Sequence, residues 1–216
     1  MSSNSLLTLT NTQVVIEAIA IISFALSGLM EAARKKMDAV GICVVAGLAA
    51  FGGGTLRDLL LDRRPYFWVE HANWLWLLLL LCVGSMVFMR ARHFEPTERI
   101  MLWPDALGLG LFTAGGTQMA LQASNPAIVA VLMGVISAVF GGVLRDIVCN
   151  EIPRAFQDHR PYAVCSFIGA WIMVGANMLG WPDWVALFTA SAAVVAMRMA
   201  ALQFNIVLPS WKHDVE

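Results

Sequence analysis

The stretch Phe51-Gly52-Gly53-Gly54-Thr55-Leu56-Arg57-Asp58 lies inside an apolar run and returns, shortened, as Phe140-Gly141-Gly142-Val143-Leu144-Arg145-Asp146. An offset of 88 aligns Gly53, Gly54, Leu56, Arg57 and Asp58 with identical residues. The same offset pairs Phe24 with Phe112, Gly28 with Gly116, Ala32 with Ala120, Ala39 with Ala127, and Pro65 with Pro153. Glu17 meets Asp105, a conservative match. A duplicated unit explains all of these together, and it constrains the fold more than any single motif does.

Composition then chooses the solvent. Of 216 residues, 59% are hydrophobic and 13% charged, with a mean hydropathy of +0.71. Soluble domains average about 25% charged residues, so this chain lacks the polar surface that water requires. The reading is an all-α, polytopic membrane protein. Apolar stretches of about 20 residues can span a bilayer. Such stretches fall at 13–33, 39–61, 72–90, 103–122, 127–149, 161–180 and 183–202. They predict seven transmembrane helices in a single membrane domain, 1–216. Repeat one covers about 13–90 and repeat two about 103–180, with an extra helix at about 183–202. Short connections carry Pro65, Pro96, Pro126, Pro153 and Pro182, and tryptophans gather near the predicted ends, as expected at a membrane interface. Residues 1–13 lack the Lys and Arg of a signal peptide, which predicts that the first apolar stretch is retained as a span.

Charge placement sets the expected orientation. Of the fourteen Lys and Arg residues, ten fall on one side of this arrangement, two (Arg63 and Arg64) on the other, and two (Arg57 and Arg145) within spans. The positive-inside rule then places the N-terminus outside and the C-terminus in the cytoplasm. Three spans per repeat is an odd number, so the second copy enters from the opposite side. The result is an inverted 3+3 repeat, a recurring plan in transport proteins, plus one helix.

Two readings of Gly52, Gly53, Gly54, Gly141 and Gly142 follow. Close helix packing is the ordinary use of small residues in membranes. Adjacent glycines point in different directions, however, which suits a kinked or unwound segment shaping a pathway. The Arg57-Asp58 and Arg145-Asp146 pairs are candidate pore or gate charges, with snorkelling of the arginines to a nearby interface as the alternative. Neighbours on a helix do not face one another, so neither pair is expected to satisfy itself. Glu17 and Asp105 lie at matching depths on the first helix of each repeat and are the expected partners, as Glu17–Arg57 and Asp105–Arg145. Ser27, Thr55, Thr113, Thr117 and Gln118 are candidates for lining a hydrated path, although Ser and Thr also bond their own helix. Ser27-Gly28 and Gly115-Gly116 form a second, equivalent packing notch.

Other chemistries are poorly represented. No H-E-x-x-H, G-x-S-x-G or P-loop sequence occurs, so no catalytic residue is assigned and the chain is not read as an enzyme. His71, His93, His159 and His213 fall in predicted loops or the tail without ligand spacing. Cys43, Cys82, Cys149 and Cys165 form no C-x-x-C and read as small hydrophobes. No metal site or cofactor is predicted, and no basic block suggests nucleic acid. Membrane lipids are the expected surroundings.

The doubled Gly-Gly-x-x-Arg-Asp within seven spans resembles the prokaryotic trimeric intracellular cation (TRIC) channel family, also grouped as a bacterial "glycine transporter" domain family. The resemblance covers roughly residues 13 to 203. It implies a homotrimer in a bacterial inner membrane. Each protomer would carry a hydrophilic pore bounded by kinked second and fifth spans and permeable to K⁺ (or Na⁺). By position the kinks fall at the five glycines named above, and the charged pairs become pore or gate residues. Phe140 replaces a third glycine in the second copy, so a tighter kink is expected there. The lipid-contact motif Lys-Glu-Val of animal members is absent. A carrier for glycine or another small solute is the alternative function.

Overall fold

A computed structural model describes residues 3–92, 97–157 and 160–209. The described residues form nine helices and no strand: α1 (Ser3–Arg34), α2 (Ala39–Leu60), α3 (Phe67–Glu70), α4 (Asn73–Arg92), α5 (Glu98–Gln122), α6 (Ala127–Val148), α7 (Arg154–Gln157), α8 (Ala163–Met178) and α9 (Asp183–Gln203). Val14–Arg34 within α1, together with α2, α6 and α9, is long and apolar enough to cross a membrane; α8 and the stretch Asn73–Phe88 of α4 are shorter apolar helices.

The boundaries differ from expectation where local chemistry lets them. α1 begins at Ser3 rather than 13, because nothing in Met1–Gln13 breaks a helix. α5 begins at Glu98 and passes through Pro104, which was expected to lie just inside the start of a shorter span. Proline lacks an N–H, so the bond that position 104 would make to the Ile100 carbonyl one turn back is missing within α5. The two one-turn helices α3 and α7 fall in segments read as loops.

The elements pack around a two-fold relation between the halves. α1 and α5 are neighbours, as are α2 and α6, and α9 lies against α5 and α8. α1 and α5 run antiparallel: Ser27, late in α1, meets Asp105, early in α5, whereas Glu17, early in α1, shares a pocket with Gln118, late in α5. Phe24 and Phe112, themselves 88 residues apart, stack on each other with centroids at 5.6 Å, as residues astride a two-fold must. Left-handed residues recur at the same offset, Lys36 with Ser124 and Asp62 with Asn150, so corresponding helices end in the same backbone geometry.

The glycine clusters lie where α2 crosses α6. A β-carbon added at Gly53 would stand 2.0 Å from the Ser137 carbonyl oxygen, and one at Gly141 would stand 2.3 Å from that of Ala49. Ala49 and Ser137 are also 88 apart, so the crossing is reciprocal. Both helices continue through their glycines, so neither is unwound there. Missing side chains let two intact helices touch backbone to backbone, which is the packing alternative. Gly28 and Gly116 serve the second notch: a β-carbon at Gly28 would press on Ala49 and Val45, and one at Gly116 on Ser137 and Gly134.

Candidate functional site

Both Arg-Asp pairs are buried at helix C-termini, and the snorkelling alternative does not hold. Arg57 and Asp58 have no exposed surface, and Arg145 and Asp146 are 1% and 3% exposed. Each arginine bonds its own neighbour, contrary to expectation: Arg57 Nε donates to Asp58 Oδ1 at 2.8 Å, and Arg145 Nε to Asp146 Oδ1 at 2.8 Å. Adjacent Cβ atoms diverge, but the long guanidinium stem folds back across the short Asp. The second oxygen of each Asp caps a one-turn helix. Asp58 Oδ2 accepts from the Phe67 N–H at 2.8 Å, and Asp146 Oδ2 from the Arg154 N–H at 2.9 Å. A carboxylate that accepts from guanidinium and backbone together is held by charge-assisted bonds in the low-dielectric interior.

The acidic partner from the first helix of each repeat is present at both sites, as anticipated. Asp105 Oδ1 lies 2.6 Å from Arg145 Nη1, and Ser27 enters the same site: Arg145 Nη1 donates to its hydroxyl at 2.5 Å, and that hydroxyl donates to Asp105 Oδ1 at 3.3 Å. Glu17 Oε1 lies 3.7 Å from Arg57 Nη2, within Coulomb range but beyond a hydrogen bond. That oxygen has no hydrogen-bond partner although Glu17 is only 6% exposed. It lines a narrow pocket with Arg57, Gly115, Gln118 and Phe112, which has space for about one water molecule. The two sites are ten residues apart along α1, from Glu17 to Ser27, or about 15 Å.

Of the other polar candidates, Gln118 faces the Glu17 pocket. Thr113 and Thr117 donate to carbonyls four residues back on their own helix, and Thr113 also meets Ser166. Thr55 donates to Phe51 O, accepts from Trp68 Nε1, and borders a separate apolar groove with Gly52 and Leu144 rather than either charged site. The Gly54 position is filled by the Phe67 ring, which Arg57 overlies at 5.4 Å, while Gly142 faces the Tyr162 hydroxyl. Among the described residues no cluster of His, Cys, Asp and Glu could hold a metal ion. The His71 ring lies 6.1 Å from that of Trp74, tilted by 39°; His93, His159 and His213 lie outside the described residues. The four cysteines are free thiols.

Two buried groups, Glu31 and Arg198, are not marked as sites by the sequence. Glu31, 1% exposed, accepts from Arg34 Nη2 and from Arg154 Nη2, each at 2.6 Å, and so joins α1 to the start of α7. Lys35 pairs with Glu151 beside it. Arg198, 1% exposed on α9, donates to the carbonyls of Arg160 and Pro161 and lies 4.8 Å over the Tyr162 ring. The charge count places Arg198 among the ten Lys and Arg residues of one side, although it lies within the predicted span 183–202, where it would be an intramembrane charge.

A family model described as "Glycine transporter" matches residues 14–92 and again 102–178. The chain belongs to that family. A membrane protein of Vibrio cholerae from the group UPF0126 is 33% identical over 192 residues, covering 87% of this chain and 78% of the relative. The Escherichia coli inner membrane protein YadS is 32% identical, covering 88% and 92%. A solved structure from a study of conductance through TRIC cation channels superposes with a TM-score of 0.83 at 33% identity, over 94% of this chain and 98% of its own. The TRIC orthologue from Rhodobacter sphaeroides gives 0.82 at 34% identity, over 90% and 98%. The fold of this glycine transporter family member is therefore that of the TRIC cation channels, a family of multi-pass membrane proteins that are transporters and channels rather than enzymes.

Proposed function

We propose that the protein is a channel for monovalent cations, permeable to K⁺ and Na⁺, with one hydrophilic path in each protomer of a homotrimer. Seven spans cross the bacterial inner membrane as two inverted repeats plus α9, with the N-terminus outside and the C-terminus in the cytoplasm. The path passes between α1, α2, α5 and α6, and the Glu17 and Asp105 sites lie at its outer and inner halves. Likeness to solved TRIC channels over nine-tenths of the chain supports this reading. One observation carries it: each half buries an Arg between two carboxylates, a cluster with a formal charge of −1. Buried charge of this kind is costly and is kept where an ion or its path needs it. No Thr-Val-Gly-Tyr-Gly filter is present, so discrimination between K⁺ and Na⁺ is expected to be modest.

A carrier for a small zwitterion ranks second. It is favoured by one observation, that a carboxylate oxygen without a hydrogen bond and a guanidinium line the same pocket. With space for about one water, that pocket does not accommodate even glycine in this conformation. Recording from purified protein in planar bilayers under a KCl gradient separates the two. Unitary currents that reverse near the K⁺ equilibrium potential, and that Gly53→Leu alters, are expected for the channel. Electrical silence with saturable uptake of labelled glycine into liposomes would transfer the protein to the carrier class.

A further inference from the structure

The two charged sites occupy equivalent positions, so differences between them are informative. Ser27 supplies the hydroxyl that joins Arg145 to Asp105. Its counterpart, 88 residues on, is Gly115, which lines the Glu17 pocket and leaves the corresponding place unfilled. The space there is real: a β-carbon on Gly115 would meet nothing closer than Ile16 Cγ2 at 3.9 Å. The same offset converts Glu31 into Met119. Glu31 ties α1 to Arg154 of the other repeat through a buried ion pair at 2.6 Å, whereas Met119 meets Arg63 only through its sulfur, at 3.3 Å. Lys35 and Glu151 add a second fastening at the Asp105 end; their counterparts are Ala123 and Arg63.

We infer that Gly115 is a positioning residue that leaves the Glu17 end free to move, and that this end is the movable gate while the Asp105 end is its fixed counterpart. The absent hydroxyl leaves Glu17 Oε1 without a hydrogen bond, buried and facing the pocket. A buried acceptor in that state favours any rearrangement that brings it a donor, water included. At the Asp105 end the same motion must break the Ser27 bridge and two inter-repeat ion pairs. A serine at position 115 places a hydroxyl where Ser27 places one, and converts the Glu17 end into a copy of the other.

The assignment of a gate rests on the channel reading, but the mobility difference does not, and hydrogen–deuterium exchange tests it without current. In the intact purified protein, amides of α1 and α5 around Glu17 and Gly115 are expected to exchange faster than those around Ser27 and Asp105. Gly115→Ser should slow the Glu17 end by about five- to tenfold and leave the Asp105 end unchanged. Ser27→Gly should accelerate the Asp105 end alone. Equal exchange at the two ends of the wild type, or a Gly115→Ser change spread evenly over both, overturns the inference. In bilayers Gly115→Ser is expected to lower the open probability. Local slowing of exchange in a protein that conducts nothing would keep the mobility assignment and discard the channel reading.

Discussion

At the Asp105 site one carboxylate oxygen accepts a guanidinium at 2.6 Å and a serine hydroxyl at 3.3 Å; at the Glu17 site the corresponding oxygen stands 3.7 Å from its arginine and has no hydrogen bond. Otherwise the two share a plan, with Nε bonded to the neighbouring Asp at 2.8 Å and that Asp capping a one-turn helix. A duplicated unit thus retains its Arg-Asp scaffold while diverging at the residues that saturate it. Glu is one methylene longer than Asp, yet it fits its arginine less closely. Side-chain reach is therefore not what separates the two sites; the filling residue is.

The largest effect should come from breaking the saturated site. Asp105→Asn removes a carboxylate from a fully buried guanidinium and is expected to destabilise by about 3 to 5 kcal/mol, the usual cost of removing one partner of a buried pair. Glu17→Gln should cost about 1 kcal/mol, because its oxygen forms no hydrogen bond to lose. Thermal unfolding in one detergent compares them directly; equal losses would mean that the two sites differ in geometry only. Double-mutant cycles sharpen this result. The Asp105–Arg145 coupling should exceed that of Glu17–Arg57, and strictly additive effects of Glu17→Gln and Arg57→Gln would show that the second pair does not interact.

Next in size is the fastening at the Asp105 end. Glu31→Gln removes the charge that two arginines share, and a loss of about 1 to 3 kcal/mol is expected, with increased exchange in α7. Met119→Glu offers the mirrored change, a carboxylate placed near Arg63. If the ends differ through their fastenings, this variant should slow opening at the Glu17 end, and unaltered exchange there would confine the difference to Ser27 and Gly115.

Much of this plan was legible from the repeat. A fixed offset with an odd number of spans implies inversion, and the reciprocal crossing of Gly53 on Ser137 with Gly141 on Ala49 has that symmetry. The pairing of Glu17 and Asp105 with the arginines followed from depth along each helix. What remained hidden depended on distances that a linear sequence does not carry. The run Gly52-Gly53-Gly54 reads as a kinked or unwound segment or as close packing, because both need small residues, and the contact with α6 shows only in three dimensions. Arg57 curling back onto Asp58 is a property of a long flexible side chain, which rules based on Cβ direction miss. Glu31 and Arg198 sit beside predicted helix ends, where hydropathy cannot tell a buried charge from an interfacial one.

The smallest effect belongs to Lys35 and Glu151, at the surface of the Asp105 end. The Lys35 ammonium, by hydrogen bond and charge, holds the Glu151 carboxyl below the usual carboxylate range. A group whose folded value is depressed contributes stability above its unfolded value and loses it as pH falls through the folded one. Lys35→Gln should therefore lower the melting temperature slightly at neutral pH and not at all in strong acid, where Glu151 is protonated with or without a partner. The difference between wild type and variant should shrink as pH drops through the carboxylate range, and added salt at neutral pH should shrink it too, since exposed pairs are screened. A pH-independent difference would mean that Lys35 acts through its hydrocarbon stem rather than its charge. The inter-repeat fastening would then rest on Glu31 and Arg154, which lie deeper and out of reach of bulk salt.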